Sequence, residues 1–214
     1  MSYKRPHQTR ALMTEQRFLD AFAQLLSQKS FHQITIDEIA LASGLHRGAF
    51  LARFGSKKQA LLLIYERYCS KASKIMQEVS EKVPTSNDRH ALLQEMSQRL
   101  EQIQEVDFAA NRAMHEFFMV NLQVDPRTKK IFVELIELMK LIQRRFGHPD
   151  LNPGPFAASQ LLVSINYNYV LNAMTALPKD AKTRHALVAS LCLQALDFPY
   201  HAPEKAATAS RLRP

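Results

Sequence analysis

The run from Thr35 to Phe54 holds the side chains best suited to contact another molecule. At about 100° per residue on a helix, the side away from Phe50 is expected to carry Arg47, Gly48, Leu51 and Ala52. A guanidinium can donate two parallel hydrogen bonds to a guanine, and a small apolar side chain can touch a thymine methyl group. The spacing therefore predicts a helix face that reads base pairs in the DNA major groove.

Cationic and amide groups next to this face could hold the DNA backbone. Arg53 lies on the flank of the helix, Lys57 follows in the first turn of the next helix, and backbone amides are available at Ser56. The hydroxyl of Thr35 could bind a phosphate as well. The complete predicted DNA-contact set is Thr35, His46, Arg47, Gly48, Ala49, Leu51, Arg53 and Lys57.

Two short helices joined by a tight turn would position these side chains. Thr35 and Glu38 have the spacing of a capping box, which starts a helix. Gly44 suits a turn with positive φ, and Leu45 and Phe50 would anchor the second helix in the core. The pattern predicts a helix-turn-helix. The plainer alternative is two packed helices of an α-helical bundle.

The same region resembles the N-terminal domain of the TetR family of bacterial transcriptional regulators. The resemblance covers residues 17–61, about a fifth of the chain. It implies that the remaining helices form a ligand-binding and dimerisation domain. The matching positions are Phe18, Leu19, Ala21, Leu25, Leu26, Phe31, Ile34, Thr35, Ile36, Ile39, Ala40, Gly44, Leu45, Gly48, Phe54, Ser56, Lys57 and Leu61.

Three positions depart from the family pattern. Leu51 stands where the family usually has a Tyr that bonds a phosphate, and Arg53 stands where a His or similar residue is usual. His46 replaces the usual Ser or Thr cap of the recognition helix. The resemblance therefore implies the docking mode, while the contacts to the DNA backbone are expected to differ.

Composition favours long helices throughout the chain. Of 214 residues, 46% are hydrophobic, and only 5 are glycine. We predict an all-α fold of about nine helices, with a three-helix DNA-binding domain over residues 1–56 that includes a basic N-terminal arm. A helical ligand-binding and dimerisation domain over 57–198 and a disordered tail over 199–214 would follow.

The positive charge is concentrated near the predicted DNA-binding helices. The formal net charge is +8, of which residues 1–60 contribute +5. A basic surface attracts nucleic acid, although the same charge would attract other polyanions.

The last two predicted helices, about 156–177 and 181–197, are apolar around much of their circumference. Such helices must be covered on all sides. A second subunit is the natural cover, and the family resemblance implies a four-helix interface in a homodimer. The alternative is that both helices simply complete the core of a monomer.

A small-molecule pocket would lie among the central helices. Its predicted lining combines apolar and amide side chains, which suits a largely apolar ligand with one or two polar groups. Core packing is the alternative role for each of them. The predicted lining residues are Phe108, Met114, His115, Phe118, Asn121, Asn166, Tyr167 and Met174.

Other chemistry finds little support in the sequence. His115-Glu116 resembles the start of a zinc-protease motif, but Met119 stands where the second ligand is required. We expect no metal site, no cofactor and no catalysis. Cys69 and Cys192 are far apart, which fits the reducing cytoplasm, and no apolar run reaches the roughly 20 residues needed to span a bilayer.

These features together predict a transcriptional regulator, specifically a repressor that a small molecule releases from a palindromic operator. The alternative is an all-α small-molecule-binding or adaptor protein of the same fold that does not read DNA. A helical enzyme ranks third.

Overall fold

The computed structural model describes residues 9–121, 125–146, 153–170 and 177–198. These residues form nine α-helices, and within these ranges no strand occurs, so the all-α prediction is confirmed. The helices are α1 (Thr9–Gln28), α2 (Ile36–Ser43), α3 (Arg47–Phe54), α4 (Lys57–Lys82), α5 (Arg89–Val106), α6 (Phe108–Asn121), α7 (Pro126–Arg145), α8 (Gly154–Val170) and α9 (Ala181–Asp197).

Short polar residues start several helices at the expected positions. The hydroxyl of Thr35 accepts the Glu38 amide, and the Glu38 carboxylate accepts the Thr35 amide, so the capping box forms. Asp125 caps α7 through the amide of Arg127, with Pro126 at the first helical position. These contacts satisfy backbone donors that a helix cannot satisfy by itself.

The first hydrophobic core joins α1, α2 and α3 to the N-terminal half of α4 and to α6. Phe18, Phe50 and Phe54 form its aromatic centre, with ring centroids 4.8–5.9 Å apart. All three rings are buried. Edge-on and tilted contacts of this kind fix the angle at which α3 crosses α1.

The second core joins the C-terminal half of α4 to α5, α7, α8 and α9. Helix α4 therefore runs from one core into the other. One close approach in this half involves Gly154, where an added Cβ would lie 2.9 Å from the Ala195 carbonyl oxygen. Only glycine lets the start of α8 pack so closely against the end of α9.

A buried polar cluster ties α5 to α8 and α9. Glu101 accepts two hydrogen bonds from Arg184, at 2.9 and 2.5 Å, and both side chains are almost fully buried. Ser97 donates to Asn166 at 3.1 Å and lies 3.2 Å from a ring nitrogen of His185. Burial lowers the pKa of His185 below its usual value, so its neutral form is favoured.

Within the described ranges, none of the helices is both long enough and apolar enough to cross a membrane. The proposed boundary at residues 56 and 57 stays a prediction. The expected arm (residues 1–8) and tail (199–214) lie outside the described residues.

Candidate nucleic-acid interface

The turn between α2 and α3 has the geometry of a helix-turn-helix. Gly44 ends α2 with φ of 64° and ψ of 33°, and its amide bonds to carbonyls of α2. Arg17 of α1 donates to the Ser43 carbonyl at 2.7 Å, and its guanidinium would lie 3.0 Å from a Cβ added to Gly44. The turn therefore needs glycine both for its backbone angles and for the space that Arg17 occupies.

Helix α3 buries one face and exposes the other. Phe50 and Phe54 are buried, while Leu51 is 37% exposed. The remaining exposed positions are small or polar, and they are His46, Arg47, Gly48, Ala49 and Ala52. The structure thus brings five of the eight predicted DNA-contact residues together on one open helix face.

Gly48 has no structural reason to be glycine. A Cβ added there would meet no atom of the described residues within 4 Å, and its φ is not positive. Glycine inside a helix costs about 0.5–1 kcal/mol relative to alanine. A small residue kept at an open position, at a cost in stability, fits a surface that a partner approaches closely.

Arg47 makes a contact that the sequence did not predict. Its Nη1 lies 2.6 Å from the Asp37 carboxylate, which is in the first turn of α2. Both side chains remain more than half exposed. The ion pair crosses the turn and holds the guanidinium beside the open face of α3.

The Thr35 hydroxyl is directed towards Glu38. It donates to the Glu38 carboxylate at 2.9 Å, and Lys29 also binds that carboxylate, at 2.5 Å. The Lys29 ammonium and the amide and hydroxyl of Thr35 lower the pKa of Glu38 to about 2. Because a phosphate contact needs a donated proton, Thr35 would have to release Glu38 to make one.

Lys57 also has intramolecular partners. Its ammonium donates to the carbonyls of Phe31 and Ile34, at 2.6 Å each, and lies 4.4 Å from the Phe31 ring centroid. Desolvation lowers the pKa of this lysine. Lys57 thus links α4 to the α1–α2 loop through hydrogen bonds. Arg53, in contrast, is half-buried at the end of α3.

Helix α6 contacts the helix-turn-helix region directly. Phe117 packs edge-on against Phe31 at 6.0 Å, and the Lys58 ammonium lies 4.7 Å from the Phe117 ring centroid. Arg112 donates to the Leu26 carbonyl of α1 at 3.2 Å. A displacement of α6 would therefore reach the helix-turn-helix through the loop that precedes α2.

The N-terminal helices match a known family. Residues 18–64 match the model of the bacterial regulatory proteins of the tetR family. Over these residues the chain is similar to TetR-family regulators. The match agrees with the resemblance predicted for residues 17–61, and because TetR-family regulators are non-enzymatic DNA-binding transcription factors, it supports the expectation of no catalysis. No curated protein matches the chain in sequence.

Solved structures of TetR-family regulators share the fold. A putative regulator from Mesorhizobium loti has a TM-score of 0.65 at 16% identity, covering 88% of this chain and 97% of its own. PfmR from Thermus thermophilus has a TM-score of 0.60 at 18% identity, covering 83% and 97%. NalD from Pseudomonas aeruginosa, the secondary repressor of the MexAB-OprM multidrug efflux pump, has a TM-score of 0.56 at 16% identity, covering 88% and 98%.

The predicted ligand-binding residues lie in different environments. Met114 is buried in the first core, Asn166 belongs to the buried cluster with Ser97, and Phe108 and Tyr167 are half-buried. The side chains of His115, Phe118 and Asn121, and all of Met174, lie outside what the structure describes. The ligand-binding role of these eight residues stays a prediction.

Two buried amide side chains were missed by the sequence reasoning. Gln104 and Asn111 are 4% and 7% exposed, and their side-chain oxygens lack a hydrogen-bond partner among the described residues. The Gln104 amide nitrogen lies 3.5 Å from the Tyr68 hydroxyl, whose pKa burial raises to about 12. Unsatisfied buried amides are uncommon, so this region offers polar groups to a ligand. Both residues are close in sequence to the predicted pocket residue Phe108, but the apolar periodicity of a helix does not identify buried polar side chains.

Helices α8 and α9 expose an apolar surface in this protein. A groove of about 320 Å³ runs between them, lined mainly by apolar side chains that include Leu161, Leu191 and Phe198. Leu187 is 38% exposed and Phe198 is 67% exposed. We call this region, with Phe156 at 48% exposure, the α8–α9 face.

Proposed function

We propose that the protein is a homodimeric transcriptional repressor that reads a near-palindromic operator and releases it when a small molecule binds. The observation that carries this proposal is the open face of α3. It presents small residues and one long donor, Arg47, with Gly48 exposed at its centre. The fold and the match of residues 18–64 support a DNA-binding regulator, and the proposal adds how it acts.

Arg47 is the residue that we assign to base reading. Its guanidinium would bond a guanine, while Ala49 and Leu51 would contact thymine methyl groups. Arg53 and the amides at the start of α4 would hold phosphates, partly replacing the tyrosine that the family usually has at position 51. His46, which makes no capping hydrogen bond, has an imidazole available to the groove.

The α8–α9 face is the surface that we assign to a second copy of the chain. Large exposed apolar side chains there would be covered by the same surface of the partner, as a two-fold interface requires. A two-fold dimer sets its two recognition helices roughly 34–36 Å apart, one turn of DNA. This spacing is why the operator is expected to be near-palindromic.

The effector site is proposed between α4, α5, α6 and α8. Gln104 and Asn111 provide buried polar groups, and Phe108 and Met114 provide apolar surface. This composition favours a mainly apolar effector with a hydrogen-bonding group. Because α6 also packs on Phe31, an effector that displaces α6 would alter the helix-turn-helix, and a coupling of roughly 1–3 kcal/mol would change operator affinity 5–150-fold.

The repressor role draws further support from NalD, a structural neighbour whose description is that of a repressor. We also propose that the protein works in the bacterial cytoplasm, where its DNA would be found.

A mobility-shift assay tests the DNA-binding part of the proposal. DNA from upstream of the protein's own gene is compared with an unrelated fragment at two salt concentrations. We expect retention of the upstream fragment alone at the higher salt, and loss of that preference in Arg47→Ala. Lys140→Ala, which removes an exposed cation from α7, is the matched control and should bind normally.

Equal retention of all fragments would contradict sequence-specific binding. If no DNA is retained while small molecules still raise the melting temperature, the protein is instead a ligand-binding or adaptor protein of the same fold.

A further inference from the structure

The ion pair between Asp37 and Arg47 has an unusual location. Asp37 is the second residue of α2, and Arg47 is the first residue of α3. The contact at 2.6 Å therefore joins the first turns of the two helices that define the reading unit. Both groups are exposed, and Arg47 belongs to the open face of α3.

An exposed ion pair of this kind contributes little to stability. Measured contributions of exposed pairs are typically about 0.2–1 kcal/mol, and a carboxylate at a helix N-terminus adds a similar amount by itself. Near DNA, however, a carboxylate is repelled by phosphates. An acidic side chain at this place therefore weakens non-specific DNA binding. Its small contribution to stability does not account for its position beside Arg47.

The geometry points to that benefit. Asp37 engages Nη1 of Arg47, and a guanidinium has five N–H donors. Enough donors remain for two parallel hydrogen bonds to the O6 and N7 atoms of guanine. A long side chain that is already held in place loses less conformational freedom on binding.

We propose that Asp37 is a specificity-determining residue that positions Arg47 for guanine and keeps it from binding phosphates. Asp37 acts through Arg47. This inference rests on the proposed function, because it requires Arg47 to read a base. It explains why an acidic residue stands at the N-terminus of α2, next to the expected DNA surface.

The second acidic residue of that turn does not share the role. Glu38 is engaged by Thr35 and Lys29, so it completes the cap of α2. Asp37 takes no part in that cap and bonds Arg47 instead. The two neighbouring carboxylates thus have separate functions, one in the helix start and one at the DNA surface.

The test uses selection from synthetic duplexes with 24 randomised base pairs. The full-length wild type is used to enrich a motif, and binding is then measured for the enriched duplex and for versions with each enriched guanine replaced. We expect Asp37→Asn to bind random duplexes more tightly than the wild type does. Its discrimination at one guanine per half-site should fall about 3- to 10-fold, a part of what a good base contact provides.

Asp20→Asn is the matched control. It removes the same charge from the same domain, at an exposed residue of α1 whose partners are Arg67 and Gln16. If Asp20→Asn raises non-specific binding but leaves guanine discrimination intact, the loss in Asp37→Asn reports positioning. Equal discrimination in the wild type and Asp37→Asn would overturn the inference and reduce Asp37 to a general repulsive charge.

Arg47→Ala separates this failure from failure of the proposed function. If Arg47→Ala keeps the guanine preference, base reading by Arg47 is wrong, and the role of Asp37 is wrong with it. If the wild type enriches no motif, sequence-specific binding itself is overturned. Thermal unfolding followed by circular dichroism shows that each variant remains folded.

Discussion

Gly48 and Gly44 show how one residue type can serve opposite purposes within a few positions. Gly44 has φ of 64° and faces Arg17 at close range, so the fold requires it. Gly48 lies on the open face with no described neighbour within 4 Å of a Cβ. The first glycine supports the turn, and the second leaves room for a partner.

Alanine substitutions at these two glycines should change the free energy of unfolding in opposite directions. Gly48→Ala should stabilise the protein by about 0.5–1 kcal/mol, because alanine is the better helix former, while weakening operator binding. Gly44→Ala should destabilise it by more than about 1 kcal/mol, since its φ is positive and Arg17 is in the way. Urea unfolding and mobility shift measure both. Tighter DNA binding by Gly48→Ala would argue against close approach at α3.

Lys57 has two possible roles, and one substitution separates them. Lys57→Met should destabilise the protein by about 1–3 kcal/mol, because the Phe31 and Ile34 carbonyls lose their donor. If Lys57 also held a phosphate, the salt dependence of DNA binding would fall by about one counterion per half-site. Lys58→Met is the control, since the Lys58 ammonium lies over the Phe117 ring, 4.7 Å from its centroid. An unchanged free energy of unfolding in Lys57→Met would contradict a structural role for its hydrogen bonds to the two carbonyls.

At the scale of helices, the sequence revealed local features better than contacts between distant residues. The Thr35–Glu38 box, the Gly44 turn and the Asp125-Pro126 start depend on neighbours within four residues, and all three were predicted correctly. The hydrogen bonds of Lys57 and the Asp37–Arg47 ion pair join residues 10 to 26 positions apart and depend on how the helices cross. The spacing of residues along the chain does not show directly how helices cross.

Glu101 and Arg184 form a buried ion pair between α5 and α9. Glu101→Gln should destabilise the protein by about 3–5 kcal/mol, because the buried Arg184 charge loses its partner carboxylate. Glu105→Gln, at an exposed position one turn later, should have little effect. Thermal and urea unfolding provide the measurement, and similar losses in the two variants would contradict a special role for Glu101.

At the scale of the whole molecule, the α8–α9 face is expected to decide the oligomeric state. Leu187→Glu should convert the dimer to a monomer in sedimentation at micromolar concentration, because the partner's apolar surface would meet a charge. Operator affinity should fall with it, since one half-site alone binds weakly. Val106→Glu, at a residue that is 77% exposed, is the matched control and should stay dimeric. A monomeric wild type would refute the assignment of this face.

The packing of α6 in the first core has a consequence for protein engineering. Ala110, Ala113 and Met114 fill part of that core beside Tyr65 and Cys69, although they come more than forty residues later in the chain. A sensor built by grafting the first four helices onto another regulator would lack these side chains and leave an open apolar cleft. A functional chimera should therefore combine two separate segments of this chain. One is α1 to α4, and the other is α6, whose buried face packs against them.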